Sequence, residues 1–317
     1  MHSQSPEGVE PQYSTLAVHV GFGLSGVVIV IAMQWEDYHG LGGNSRVPLS
    51  HTTALPVLPT FAANLIATAW LFRGWPGRRM YDRKMWLLCA FALVGEAANQ
   101  ASIILAGSLT FTVVYSSVTL WTAFLGVPVL GTSPNRTQWM AICCIVIGLL
   151  ASAASHTSAK EGANGWNLVT GAACGLIGSL SYAMMYVTTE LIQRESDSPP
   201  PEALCAFVGL VCSTAVGGYI AIWDGPRWSH LVEEELTASY GQIVTVYAFI
   251  VVFCFWHNLM FYYLTRLSAV LAGVNKAVQA VSTFGASHLF FCAHDPQQCL
   301  TAPKVINDTP SIPAIYP

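Results

Sequence analysis

The chain has 317 residues, of which 9% are charged and 53% hydrophobic, with a net charge of -4 and a mean hydropathy of +0.50. Soluble domains carry about 25% charged residues, so this composition excludes an ordinary water-soluble fold and describes a chain solvated mostly by lipid. It also excludes nucleic-acid binding, which needs a basic patch or arm that this sequence does not have.

Residues 1–13 form a polar N-terminal tail with Glu7 and Glu10 and neither Lys nor Arg. It does not read as a cleavable signal peptide, so the first apolar span is expected to do the targeting. Crossing a bilayer takes about 20 mostly apolar residues. Nine runs qualify: Ser14–Trp35, Thr52–Phe72, Met85–Ala106, Leu109–Leu130, Gln138–Ser155, Leu168–Ile192, Ala203–Trp223, Gln242–Thr265 and Leu267–Cys292. The prediction is an all-α, polytopic membrane helix bundle with nine transmembrane spans. The second run contains Pro56, Pro59 and Asn64, tolerable where neighbours satisfy the freed carbonyls. Links as short as Gly107–Ser108 and Arg266 make the helices they join antiparallel neighbours.

Basic residues set the expected orientation. The loop after the second run carries Arg73, Arg78, Arg79, Arg83 and Lys84, and the later even-numbered loops add Arg136, Arg194 and Arg266. The odd-numbered loops hold Arg46, Lys160 and Arg227 with the acidic run Glu233, Glu234, Glu235. The positive-inside rule then places the N-terminus and the even loops in the cytoplasm. Of two glycosylation sequons, Asn135-Arg136-Thr137 is expected inside and Asn307-Asp308-Thr309 outside. Cys89, Cys143, Cys144, Cys174, Cys205, Cys212 and Cys254 lie within spans as small packing residues. Cys292 and Cys299 flank a short non-cytoplasmic loop, where a disulfide and two free thiols are both open.

A shift of 160 residues lays span one on six, three on eight and four on nine, with Phe124 over Phe284, Gln138 over Gln298 and Ser116 over Lys276. This divides the chain into a first repeat, 14–155, a linker, 156–167, a second repeat, 168–292, and a Pro-rich tail, 293–317. Halves of five helices have opposite orientations, the inverted-repeat architecture of many transporters, with the site near the midplane. The echo of span five contains Pro303, Lys304, Asp308, Pro310 and Pro313 and does not read as a lipid-facing helix. A tenth span is therefore expected to be missing.

Lys276 is the single Lys, Arg, Asp or Glu between Leu267 and Cys292. An ammonium at that depth costs roughly 2.5–3.5 kcal/mol on insertion scales and faces a bundle interior, a partner charge or a watery cavity. At 100° per residue, Gln279, Thr283 and Ser287 share its face, with Asn275 beside it. On span four, Thr112, Tyr115, Ser116 and Thr119 share a face that the repeat sets opposite Lys276. Two readings stay open for these stripes: a solute path, or close packing through small and hydroxyl residues. Lys276 is either a solute contact or the ion-pair partner of Glu96, which shares a face of span three with Asn99 and Gln100; Glu96 itself reads either as a proton or counter-charge site or as a carboxyl kept protonated by burial. His257 and Asn258 on span eight, and His19 and Asn64, are further single polar groups; adjacent His257 and Asn258 cannot both point fully inward. Glu190 is expected near the interface. Gly21, Gly23 and Gly26 spell GxGxxG, but within an apolar span and without a preceding strand, so the dinucleotide reading is set aside. Gly171, Gly175 and Gly178 form a small-residue face suited to helix packing or to pairing of two copies. With no metal-ligand cluster, Walker loop or nucleophile elbow, no catalytic residue, metal or cofactor is expected.

The segments AGSLTFTVVYSSVTLWTAFLGVPVLG and QWMAICCIVIGLLAS resemble the fourth and fifth helices of the drug/metabolite transporter superfamily, which carries EamA-like and nucleotide-sugar-transporter-like domains. GAACGLIGSLSYAMMYVTTELI resembles its sixth helix, and HNLMFYYLTRLSAVLAGVNKAVQAVSTF its eighth and ninth. The resemblance covers about Ser14–Cys292 and implies ten helices, of which nine are found here. It implies a solute carrier of the Golgi or endoplasmic reticulum that exchanges nucleotide sugars or related phosphorylated metabolites. Lys276 falls on the ninth-helix lysine that contacts substrate in the nucleotide-sugar and triose-phosphate branch. A carrier of an uncharged or cationic solute, and a non-transporting scaffold, are the alternative readings.

Overall fold

The computed structural model describes residues 15–41, 53–68, 82–131, 165–233 and 236–292, with scattered positions between 136 and 147. Among these residues there is no strand. The helices are α1 (Thr15–Tyr38), α2 (Leu58–Ala62, between 3₁₀ turns Leu55–Val57 and Ala63–Ala67), α3 (Arg83–Tyr115), α4 (Val118–Leu130), α5 (Gly165–Gln193), α6 (Pro201–Tyr219), α7 (Tyr240–Leu267) and α8 (Ala269–Phe291). Six segments are long and apolar enough to cross a membrane: Thr15–Glu36, Arg83–Ala106, Phe111–Leu130, Val169–Gln193, Pro201–Arg227 and Tyr240–Leu267. α8 has the length, but its polar stripe dilutes its hydropathy.

Local chemistry marks the ends. The Asp82 carboxylate accepts the Lys84 N–H at 3.1 Å and caps α3. Ser239 and Gln242 form a capping box at the start of α7, where each satisfies a backbone donor that the first turn leaves free. α4 ends on Gly131 at φ 66°, a left-handed conformation that costs glycine nothing. The second apolar run departs from a regular span. Pro56 and Pro59 remove two amide donors, and the described part is a short helix between 3₁₀ turns.

Helical conformation runs through all 33 residues of α3, yet the segment is not straight. A straight α-helix would separate Ser102 from Val114 by about 18 Å, whereas both side chains lie against Gly175 of α5. From Gly95 to Ala106 the contacts descend α5 from Tyr182 to Gly171, and from Val114 to Ser117 they climb it again to Ser179. The chain therefore reverses between Ala106 and Phe111, close to the Gly107–Ser108 link expected from sequence. A second break, at Ser116–Ser117, separates α3 from α4.

α5 packs along both arms of α3 and on α4, α1 packs along α7 and α8, α8 also packs on α4, and the broken α2 region lies against α6 and α7. The outer surface is apolar: Leu16, Leu24, Phe124, Ile177, Leu210, Ile222, Val244, Val252, Val281 and Leu289 are all exposed. Ser25, Gln34, Asn64, Glu96, Asn99, Thr119, Ser179 and Glu190 are buried. This inside-out polarity is what a lipid solvent selects, because polar groups find partners only within the bundle. The chain is a multi-pass helical membrane protein. The fifth run, and residues 293–317 with Cys299 and Asn307, lie mostly or wholly outside the described residues. Cys292 is disulfide-bonded, to a partner outside them.

Candidate functional site

At the centre of the bundle is a cavity of about 240 Å³. Lys276, Gln279 and Thr283 of α8 reach it, as do Glu96, Asn99, Gln100, Thr112 and Tyr115 of α3, His257 and Asn258 of α7, and Tyr182 and Tyr186 of α5. Gln34, Tyr38, Pro56 and Phe111 line it towards the end of the bundle that carries the α1–α2 loop. Many of the residues singled out from sequence thus converge: Lys276, Gln279, Thr283, Thr112, Tyr115, Glu96, Asn99, Gln100, His257 and Asn258.

Lys276 is held by three contacts. Its ammonium donates to His257 Nε2 at 2.9 Å and lies 5.1 Å from the Phe22 ring centroid and 5.6 Å from that of Tyr115. His257 Nδ1 lies 3.0 Å from the Phe22 carbonyl and 3.1 Å from Ser25 Oγ. A carbonyl can only accept, so Nδ1 carries the proton and Nε2 offers its lone pair to the ammonium. The neutral histidine, stacked on Phe22 with centroids 4.2 Å apart, orients the lysine without competing for its charge.

Glu96 accepts a hydrogen bond from the Tyr182 phenol. No direct ion pair joins it to Lys276: the two share the cavity while each keeps a neutral partner. Tyr182 meets Tyr115 edge to face, with centroids 5.5 Å apart. Asn258 donates to the Thr60 carbonyl at 3.1 Å and to Asn64 Oδ1 at 2.9 Å, tying α7 to the broken α2 region. Adjacent His257 and Asn258 both line the cavity, with His257 bonded to α1 and α8 and the half-buried Asn258 to the broken α2 region. Gln279 packs on Gly26, where even a Cβ would collide with its amide, and its buried Oε1 has no partner.

Ser116, Thr119 and Asn275 lie off the cavity. Ser116 donates to the Val113 carbonyl at 2.5 Å, and Thr119 donates to the Gly273 carbonyl of α8 at 2.7 Å. Gly273 permits that approach, since a Cβ there would sit 3.2 Å from Thr119 Cα. The span-four face therefore divides: Thr112 and Tyr115 line the cavity, and the residues beyond them pack on α8. Asn275 donates to His19 Nδ1 at 2.6 Å on the neighbouring α1. The face of Gly171, Gly175 and Gly178 packs against Ala106, Ser102 and Asn99 within the chain, in place of a pairing surface between copies.

Phe22, Tyr182 and Tyr186 were not anticipated. A signal existed: Tyr182 and Tyr186 are one helical turn apart, and the 160-residue shift lays them on Phe22 and Gly26, which also line the cavity. At the opposite end a polar network closes the bundle. Glu190 accepts from the Ala269 N–H that opens α8, at 2.5 Å, and pairs with Arg194, which also donates to the Leu130 carbonyl at 2.9 Å. Lys84 pairs with Glu195, and Tyr263 donates to Glu202. None of these residues lines the cavity. No family model and no curated protein matches the chain.

Proposed function

We propose that this chain is a solute transporter working by alternating access, and that Lys276 receives an anionic group of the solute in the central cavity. The observation that carries this reading is a single ammonium at membrane depth, facing a cavity and held by a neutral histidine and two aromatic rings. A charge held there without an ion pair is costly, and an incoming anion gives it a direct counter-charge. Asn99, Gln279 and Tyr115 supply hydrogen bonds around it.

The helix pairing supports two inverted halves. α1 against α7 and α8 corresponds, under the 160-residue shift, to α5 against the first arm of α3 and against its second arm with α4. The resemblance to the drug/metabolite transporter superfamily points to phosphorylated metabolites, exchanged for a second phosphorylated solute, in an endomembrane. Drug-sized pockets occupy roughly 300–1,000 Å³, so a cavity of about 240 Å³ favours a compact member of that class over a whole nucleotide sugar. In the proposed orientation the network around Glu190 and Arg194 faces the cytoplasm, and the cavity opens the other way.

The test is a thermal-shift screen of sugar phosphates, nucleotides and nucleotide sugars on purified protein, followed by uptake into reconstituted vesicles. Lys276→Ala is expected to abolish ligand stabilisation and uptake, and Lys276→Arg to restore part of both. Unchanged transport in Lys276→Ala would remove the assignment.

A further inference from the structure

Two side chains of opposite charge type line the cavity, Lys276 and Glu96. They are not spent on each other: Lys276 is held by His257 and Glu96 by Tyr182. Between them stand two rings, with Tyr115 5.6 Å from the Lys276 ammonium and its centroid 5.5 Å from that of Tyr182, whose phenol meets Glu96. With His257 neutral and Glu96 ionised, the site's own charges cancel.

Resting on the transporter reading above, we infer that the solute is a compact zwitterion: its anionic group lies on Lys276 and a cationic nitrogen lies against Glu96 and the tyrosine faces. A phosphate monoester brings a charge of about -1.5 to -2. An anion alone would face Glu96 as well as Lys276, in a medium that screens like charges poorly. A cationic nitrogen on the same molecule removes that repulsion and gains a charge-assisted contact with the carboxylate. Aromatic faces favour cations too, and the Tyr115–Tyr182 pair is placed to receive one. The cavity of about 240 Å³ suits a molecule in which a few bonds separate the two charges. A phosphate and a carboxylate share this chemistry at Lys276.

The experiment titrates the full-length protein in nanodiscs with phosphoethanolamine against glycerol phosphate and ethanolamine, and with 4-aminobutyrate against butyrate. A zwitterion is expected to bind about tenfold or more tighter than its anion-only counterpart. That ratio should fall to about one in Glu96→Gln, which keeps an oxygen for the Tyr182 phenol, and persist in Glu96→Asp, which keeps the charge. The pair that responds identifies the anion as phosphate or carboxylate. A ratio of one in the wild type, or a ratio that Glu96→Gln leaves unchanged while Lys276→Ala abolishes anion binding, overturns the zwitterion and leaves the transporter reading standing. If no binding depends on Lys276, both fall.

Discussion

His257 sits between two groups that need opposite things from it, a carbonyl at 3.0 Å that must be given a proton and an ammonium at 2.9 Å that must be given a lone pair. One neutral tautomer serves both. His257→Leu leaves the Phe22 carbonyl and the Lys276 ammonium without their shared partner, and a buried polar group left unpaired costs about 1–3 kcal/mol. A lower melting temperature in detergent is the expected outcome, and His257→Gln, which keeps a donor and an acceptor, should lose less. Gly26 acts by absence. Any side chain there displaces the Gln279 amide, so Gly26→Val is expected to weaken solute binding more than it lowers ligand-free stability, as comparison of titration with melting would show. Lys276 and Glu96 were legible in the sequence because a lone charge in an apolar run has few alternatives. Their partners were not, because His257 lies 19 residues from Lys276 and Tyr182 lies 86 from Glu96.

Between helices, glycine sets the distance of approach. A Cβ at Gly171 would meet the Ala106 backbone nitrogen at 2.8 Å, and backbone cannot swing aside as a side-chain tip can. Gly171→Val should destabilise by about 1–3 kcal/mol, the usual range for overpacking, read as a drop in melting temperature with or without ligand. Gly23, which has open space around its Cβ position, is the control: Gly23→Ala is expected to be neutral or slightly stabilising. Element positions followed well from hydropathy, including the reversal near Gly107–Ser108. Two departures stand out. Prolines break the second run, and Ser116 and Thr119, on the span-four face drawn towards the cavity, hydrogen-bond to backbone carbonyls instead.

Across the whole molecule the cavity reaches residues at the end that carries the α1–α2 loop, and the other end is held by Glu190, Arg194, Lys84 and Glu195. Glu190 joins the end of α5 to the start of α8, where a carboxylate suits the helix N-terminus. In Glu190→Ala the latch should loosen, so that a cysteine introduced at Met185, on the cavity wall, becomes more rapidly labelled from the latch side by a membrane-impermeant thiol reagent. Unchanged labelling would show that Glu190 is not part of a gate. Orientation has its own test: glycosylation at Asn135 would invert the proposed topology. The latch was not legible beforehand, since Glu190 looked like an ordinary interfacial acid until α8 was seen to begin against it.

Composition and hydropathy alone determined that this is a helical, multi-pass membrane chain, because the free energy of placing apolar and charged residues in lipid is local and sums along the sequence. They also marked Lys276, since its cost arises from its own position. Tertiary structure decided which neighbours meet that cost. Whether a polar residue lines a cavity or packs on a neighbouring helix depends on helix phase after each break and on which helices touch. Those are properties of contacts between distant residues, and no single stretch of the chain encodes them.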